Sequence, residues 1–345
     1  MVVKRHFLTH VVPGMVLAKA IQTENQILIP EGTILTEDHI QLLRSSGFAK
    51  IEILEVQIDQ VESLPVEFTI AYQQIVQAVR QLFMQVRYFQ MFRLKDFKQI
   101  LDWWAEPVLH SARLLNYLNW VSREEDYVFR HSANVAIING LLGKWMGLHP
   151  FVQQELVLTG LLHDIGKAQI PLEILNKPGR LEEKEMELMK SHAEAGFDLL
   201  NRTNGISSDV LLGVAQHHER IDGSGYPLGL PAVNIHLYAK ITAVADCYDA
   251  MTSDRSYYKR RTPFSVMEVL HTEMFSKLDP TVCSVFMSRV KNLFIGAMVL
   301  LSDGRQAEVV LLGSHAAMRP TVRTKDGQFI DLEKNQELFI VALSN

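Results

Sequence analysis

The chain has 345 residues, 48% of them hydrophobic and 21% charged, and its formal net charge at pH 7 is −5. This length allows two or three domains with a sizeable core, and the composition is that of an ordinary globular protein. The negative charge argues against DNA as a partner, although a local basic cluster for a phosphate ligand is compatible with it. No stretch has the roughly 20 apolar residues of a transmembrane helix. Cys247 and Cys283 form neither a disulfide framework nor a CxxC metal pair, so we expect a cytoplasmic protein.

Residues 1–63 are predicted to form a small accessory domain of mixed α and β structure. Apolar stretches closed by Pro and Gly, or alternating with polar residues, predict strands at 11–15, 27–32 and 51–58. A short helix is predicted at 36–46, with Thr36 as its N-cap and Gly47 as its end.

Residues 64–289 are predicted to be helical. Few Gly or Pro interrupt the segment 67–146, where apolar residues recur at intervals of three and four. The pattern continues in helices predicted at 151–165, 182–202, 207–219, 235–252 and 263–289. The fold class is therefore mainly α: a large helical domain, flanked by a small α+β domain at the N-terminus and a small β-rich domain at the C-terminus.

Residues 290–345 are predicted to form a small β-rich domain. Apolar runs predict strands at 298–301, 307–312, 321–324 and 338–342. Asp303-Gly304 and Asp326-Gly327 are typical of hairpin turns.

Histidines and aspartates recur on or beside the apolar helical segments. His163 and Asp164 end the buried run of LTGLLHDIGK, where an unpaired charge is costly and a divalent metal is a suitable partner. The other candidate ligands are His131, His192, His217, His218 and Asp246. Five imidazoles and two carboxylates exceed the needs of one ion and suit two octahedral ions that share a carboxylate. The absence of thiolate ligands favours Fe or Mn over structural zinc.

The motifs HDIGK at 163–167, HHERIDGSGYP at 217–227 and ADCYDAMTSDRSY at 245–257 resemble the HD-GYP family, over about residues 120–285. Members of that family are phosphodiesterases that cleave the bacterial second messenger cyclic di-GMP. The resemblance implies an HD-type helical bundle and hydrolysis to pGpG or GMP by a metal-bridging hydroxide.

The resemblance also assigns the ligands to two metals. The first would be held by His131, His163, Asp164 and Asp246, and the second by Asp164, His192, His217 and His218. Some HD-GYP enzymes carry a glutamate four residues before the first histidine and bind a third metal. Tyr127 occupies that position here, and a phenol is a poor ligand at neutral pH, so two metals are expected.

Five residues are predicted to contact the substrate: Lys167, Asp222, Tyr226, Arg255 and Lys259. Lys167 is also expected to act in catalysis, with a helix-end lysine as its alternative role. Tyr226 either stacks on a guanine or pins its loop. The planar guanidinium of Arg255 can bind two acceptors at once, whereas a solvated basic run at 259–261 is the alternative for Lys259.

Two other functions stay open from sequence. One is an HD-superfamily enzyme for another cyclic dinucleotide or nucleotide. The other is a non-catalytic module that binds the dinucleotide or a diguanylate cyclase through the loop at 222–227; the complete ligand set argues against it. Candidate protein partners are a diguanylate cyclase, a sensor protein and a second copy of this chain. The Phe/Met-rich segment 83–97 and Trp103-Trp104 are interpreted as helix packing or a dimer face.

Overall fold

The structure, a computed structural model, describes residues 2–8, 11, 16–22, 27–30, 33, 35–55, 66–90, 127–177, 179–253, 261–311 and 319–344. The chain divides into two compact units. The first contains Met1–Ser63, Gly296–Leu311 and Arg319–Asn345, and the second contains Leu64–Ile295 and Leu312–Met318. The second unit is helical, so the mainly α fold class is confirmed.

The N-terminal part of the first unit packs one helix with short antiparallel strands. The strands are β1 Val2–Phe7, β2 Val16–Leu17, β3 Ile21–Gln22, β4 Ile27–Ile29 and β5 Lys50–Glu55. They pair in the order β1-β5-β2, with β3-β4 as a separate hairpin. Helix α1, Glu37–Ser45, begins as predicted at Thr36, whose Oγ1 accepts a hydrogen bond from the backbone N–H of His39 at 3.2 Å. Of the predicted strand 11–15, only Val11 lies among the described residues, and the observed strand begins at Val16.

The C-terminal part of the first unit is an antiparallel sheet in the order β10-β6-β7-β8-β9. Its strands are β6 Met298–Leu301, β7 Gln306–Leu311, β8 Thr321–Thr324, β9 Phe329–Asp331 and β10 Ile340–Leu343. Both predicted Asp-Gly turns are present, with Gly304 and Gly327 at φ +85°. Strand β9 was not predicted, because its three residues are too few to show an alternating pattern.

The second unit is built from ten α-helices among its described residues. They are α2 Val66–Phe89, α3 Tyr127–Trp145, α4 Pro150–Leu162, α5 Leu172–Leu175, α6 Glu183–Lys190, α7 His192–Asn201, α8 Ser208–Gln216, α9 Leu237–Thr252, α10 Pro263–Glu273 and α11 Pro280–Leu293. Short 3-10 helices cover Ile165–Gln169 and Ala232–Asn234. In this described part, no helix combines the length and the hydrophobicity needed to cross a bilayer.

Two predicted helices are each split in the structure. The segment 182–202 becomes α6 and α7, which meet at Ser191. The segment 263–289 becomes α10 and α11, because Asp279 caps a new helix by accepting from the N–H of Thr281 at 3.0 Å. Pro280 then occupies the first helical position, where its missing N–H costs nothing.

Helix α3 forms the centre of the bundle, and every residue from His131 to Gly143 is buried. Helix α4 crosses it closely at Gly160, where a Cβ atom would lie 2.5 Å from the Cα of Ala136. This close approach brings the C-terminal end of α4 beside the N-terminal end of α3. The predicted helix 151–165 ends at Leu162, so His163 and Asp164 occupy the turn that follows it.

Candidate metal centre

The structure brings the seven predicted ligand residues into one cluster, although they come from five segments of the chain. His131 lies in the second turn of α3, and His163 and Asp164 follow α4. His192 begins α7, His217 and His218 follow α8, and Asp246 lies within α9. His131, His163, Asp164, His192 and His217 are all at most 3% exposed.

Asp164 lies between two groups of imidazoles. Its Oδ2 is 3.3 Å from Nε2 of His163 and 3.7 Å from Nε2 of His131. Its Oδ1 is 3.3 Å from Nε2 of His192 and 3.9 Å from Nε2 of His217. Two sets of side chains with the spacing of a metal site therefore share this carboxylate: His131, His163 and Asp164, and Asp164, His192, His217 and His218.

Asp246 also lies between the two groups. Its Oδ1 is 3.1 Å from Nε2 of His131, and its Oδ2 is 3.7 Å from Nδ1 of His218. The shorter distance places it nearer to the His131 group, which is the side to which the sequence prediction assigned it.

Three histidine rings are oriented by backbone carbonyls of the turn that precedes each of them. Nδ1 of His163, His192 and His217 each lies 2.7 Å from a backbone carbonyl three residues earlier, those of Gly160, Met189 and Val214. A carbonyl can only accept, so each Nδ1 carries a proton, and Nε2 of the neutral ring then presents its lone pair to the cluster.

This orientation leaves donors and acceptors unmatched in a way that a cation would resolve. Nε2 of His192 and Nε2 of His217 face each other at 3.3 Å, and neither has a proton to donate. Asp164 Oδ1 is buried and has no hydrogen-bond partner. Buried polar atoms normally have partners, so these exceptions fit a group of side chains that ligate metal ions.

The protonation states of four residues around Asp164 also suit metal binding. Burial lowers the pKa of His192 to about 4 and holds the pKa values of His217 and His218 well below their usual range. Burial alone would raise the pKa of Asp164, but His163 and Lys167 beside it hold that pKa well below normal. At neutral pH these residues are therefore neutral imidazoles and an anionic carboxylate, the forms that bind metals.

Lys167 lies beside Asp164, just beyond the helix predicted at 151–165. It belongs to the 3-10 helix Ile165–Gln169, in which residues three apart are eclipsed. Its Nζ is 2.5 Å from Asp164 Oδ2. Arg87 of α2 holds this segment by donating to the carbonyls of Lys167 at 3.2 Å and Ile170 at 3.0 Å.

The loop after His218 is held by Glu219, to which the sequence prediction gave no role. The buried Glu219 carboxylate accepts from the N–H of Leu228 at 2.7 Å and of Leu230 at 2.9 Å. The sequence feature that could have pointed to Glu219 is its position directly after the two candidate ligands His217 and His218. Gly225 lets the loop backbone pass close to Arg220, because a Cβ atom at position 225 would lie 2.4 Å from the backbone N of Arg220.

Tyr226 and Asp222 have clear contacts within this loop. The Tyr226 ring stacks on the imidazole of His218, with centroids 4.6 Å apart and planes 28° apart. Asp222 is exposed, and its Oδ1 accepts from the N–H of Ser224 at 2.9 Å and from its hydroxyl at 2.6 Å. Arg255 and Lys259, the remaining predicted substrate contacts, lie outside the described residues.

Other histidines have structural contacts. His149 and His236 cap helices α4 and α9, each accepting a backbone N–H at 3.3 Å, from Phe151 and Tyr238 respectively. The ring of His271 packs edge-on against Phe275. His110 lies outside the described residues.

Comparisons with known proteins agree on the family. The HD domain family matches residues 119–282. A "Cyclic di-GMP phosphodiesterase" of Thermotoga maritima is 34% identical over 260 residues, covering 70% of this chain and 67% of the relative. One from Pseudomonas aeruginosa is 34% identical over 246 residues, covering 71% of this chain and 59% of the relative. A "3'3'-cGAMP-specific phosphodiesterase" of Vibrio cholerae is 38% identical over 191 residues, covering 55% and 44%. The chain thus spans less than two thirds of the last two proteins.

A solved structure supports the fold. Bd1817, an HDG"Y"P protein from Bdellovibrio bacteriovorus, superposes with a TM-score of 0.55 over 84% of this chain and 99% of that one, at 16% identity. At this identity the likeness concerns the fold alone. The relatives and the motifs around His163, His217 and Asp246 lead to one conclusion: this chain belongs to the HD-GYP family of HD-domain proteins.

Proposed function

We propose that this protein is a metal-dependent phosphodiesterase that hydrolyses cyclic di-GMP to pGpG, to GMP or to both. The observation that carries the proposal is the buried Asp164 carboxylate, whose two oxygens face two separate groups of imidazole Nε2 atoms. The two relatives named as cyclic di-GMP phosphodiesterases support the substrate.

The residues present fit two divalent cations. His131, His163, Asp164 and Asp246 would hold one, and Asp164, His192, His217 and His218 the other. Nitrogen and oxygen ligands without thiolate suit Fe or Mn. When bound, the pair would lower the pKa of a bound water and neutralise charge on the phosphoryl oxygens. Tyr127 occupies the position of the third-site glutamate, and its phenol is a poor ligand at neutral pH, so we propose two metals rather than three. Its ring stacks on that of His131, with centroids 5.4 Å apart.

The chain's own groups would then bind and orient the substrate. The Lys167 ammonium beside Asp164 is positioned to hold a phosphate oxygen next to the cluster. Tyr226 covers one side of His218, where an aromatic face can also pack against a guanine. Asp222, Arg255 and Lys259 complete the proposed set of substrate contacts.

A second candidate substrate has a specific observation in its favour. A relative named as specific for 3'3'-cGAMP is 38% identical to this chain. Both substrates share the cyclic phosphodiester backbone and differ in one base, so the metal cluster does not distinguish them. A purely binding role is less well supported, because the buried ligand cluster is complete.

We also propose a cytoplasmic location, supported by the free thiols of Cys247 and Cys283. A diguanylate cyclase or sensor protein, and a second copy of this chain, are proposed as protein partners.

The test is anaerobic purification followed by metal analysis and product assays on cyclic di-GMP and 3'3'-cGAMP in parallel. His217→Asn and His149→Asn form a matched pair, since the first lies in the cluster and the second caps a helix. We expect about two metals per chain and hydrolysis of cyclic di-GMP, both lost or strongly reduced only in His217→Asn. A metal-loaded wild-type protein that binds cyclic di-GMP without cleaving it would overturn the proposal, and faster cleavage of 3'3'-cGAMP would reassign the substrate.

A further inference from the structure

His131 is oriented differently from the other histidines of the cluster. The Nδ1 atoms of His163, His192 and His217 bond to backbone carbonyls three residues earlier in the chain. Nδ1 of His131 instead lies 2.7 Å from Oδ2 of Asp249, a residue of α9. The direction of the His131 ring therefore depends on how another helix holds a carboxylate.

The Asp249 carboxylate is in turn held by a buried amide. Asn134, one turn after His131 on α3, donates from Nδ2 to Asp249 Oδ1 at 2.7 Å. Ser253 adds a longer contact to the same oxygen at 3.2 Å. Asn134 and Asp249 are 3% and 2% exposed, so water does not replace these bonds.

Tyr72 of α2 completes the chain of contacts. Its hydroxyl lies 2.7 Å from Asn134 Oδ1, and the residue is 3% exposed. The directions are fixed by chemistry: a carboxylate only accepts, so Asn134 must turn its NH₂ toward Asp249 and its oxygen toward Tyr72. The Tyr72 hydroxyl must then be the donor. A flipped amide would set two acceptors against each other.

We propose that Tyr72 and Asn134 are positioning residues for the His131 side of the metal centre, acting through Asp249. The proposal rests on the metal-dependent function proposed above. Without the Tyr72 hydroxyl, Asn134 Oδ1 is a buried acceptor that has lost this donor, and the amide is free to turn away from Asp249. The carboxylate then holds the His131 ring less firmly, and Nε2 is a poorer ligand.

The test is a titration of metal-free protein with Mn²⁺ or Co²⁺, followed by calorimetry and by the visible spectrum of bound Co²⁺. Losing a group that orients a metal-ligating histidine typically costs 10–100-fold in metal affinity. We therefore expect Tyr72→Phe to weaken one binding step about tenfold, at the lower end of that range. This should be the step that His131→Asn abolishes, and the other step should be unchanged. The Co²⁺ spectrum should change, since the ligand field at that ion changes.

Two further variants separate positioning from general stability. Tyr88→Phe removes a hydroxyl from an exposed tyrosine of the same helix and should behave as wild type. Asp249→Asn should weaken the same step more strongly, by about 100-fold. If Tyr72 acts through Asp249, adding Tyr72→Phe to Asp249→Asn should cause no further loss.

Several results would overturn the inference. Unchanged affinities and an unchanged Co²⁺ spectrum in Tyr72→Phe would exclude a positioning role. Equal weakening of both steps, with lower thermal stability of the metal-free protein, would show a general packing role instead. A wild-type protein that binds no metal would overturn the proposed function itself, and the positioning role with it.

Discussion

Asp164 is the residue whose burial costs the fold most and whose position the proposed metals explain best. A buried carboxylate is expensive to desolvate, and here one of its oxygens has no hydrogen-bond partner. Lys167 and the nearby imidazoles compensate for only part of this cost. A residue placed so unfavourably for stability alone is best explained by a ligand that binds both of its oxygens.

Asp164→Ala should therefore abolish binding of both metals, not of one. The substitution removes the side chain that both ligand groups share, and it should also abolish hydrolysis. Metal content per chain, measured after anaerobic dialysis, is the readout. Asp198→Ala, which removes an exposed aspartate of α7, should retain both metals. Retention of one full equivalent in Asp164→Ala would show that Asp164 is not a bridge.

The Lys167→Ala variant should retain its metals, and its kcat should be about 10²–10³-fold lower, the typical cost of losing one contact to the charge of a transition state. Its ammonium neighbours Asp164, but an ammonium has no lone pair with which to ligate a metal. The measurement is kcat with metal content checked in the same sample. Lys184→Ala, on the exposed face of α6, is the control. Wild-type turnover in Lys167→Ala would assign that lysine to a helix-end role.

The candidate ligands could be predicted from the sequence because residue type and local spacing carry that information. His163 and Asp164 follow a buried run, and His217 and His218 are adjacent. The directions of the side chains could not be predicted, since Tyr72 and Asn134 lie 62 residues apart and Asn134 and Asp249 lie 115 apart. Glu219 was missed because its role depends on the path of the loop that brings the N–H groups of Leu228 and Leu230 to its carboxylate.

At the scale of elements, the segment after α4 departs most from the sequence prediction. Apolar spacing predicted one helix through residue 165, whereas the α-helix ends at Leu162 and a 3-10 helix follows. The 3-10 segment packs closely against α7: a Cβ atom on Gly166 would lie 2.0 Å from the carbonyl oxygen of His192 and 2.6 Å from the backbone N of Gly196. Such a contact between distant segments leaves no periodic signal in either of them.

Gly166→Ala should therefore destabilise the protein and weaken metal binding on the His192 side. The added methyl group meets backbone atoms, which cannot turn aside as a side chain can, and overpacking of this kind typically costs about 1–3 kcal/mol. Chemical denaturation of the metal-free protein and a metal titration would measure the two effects. Gly196→Ala is the matched control across the same contact, since its Cβ would lie 3.2 Å from a Val214 methyl group. Equal stability of the two variants would contradict this account of the packing.

At the scale of the whole molecule, the sequence predicted correctly that a helical middle lies between two ends that contain strands. Apolar spacing at helical intervals, with few Gly or Pro in the segment 67–146, distinguishes the middle of the chain from ends in which short apolar runs predict strands. Which parts of the chain form one compact unit could not be predicted from the sequence. The structure places both β-containing ends in one unit, although their residues lie some 300 positions apart in the chain. The division into domains 1–63, 64–289 and 290–345 stays a prediction.

The metal centre should also hold the helical unit together. Its proposed ligands come from α3, from the turns after α4 and α8, from α7 and from α9, so bound metals would link segments that are distant in the chain. A ligand that binds only the folded state stabilises it by about 2.7 kcal/mol when present at 100 times its Kd. In a domain of 150–250 residues, 1 kcal/mol shifts Tm by roughly 2–4 °C.

Removal of the metals with a chelator should therefore lower the Tm of the helical unit by roughly 5–10 °C for each site that was filled at 100 times its Kd. Differential scanning calorimetry before and after chelation measures this shift, and re-addition of Mn²⁺ should reverse it. The Asp164→Ala protein is the internal control, because it has no metals to lose and its Tm should not respond to the chelator. An equal drop in that variant would show that the chelator acts elsewhere. An unchanged Tm in a wild-type protein shown to have lost its metals would mean that the helices are held by their packing alone.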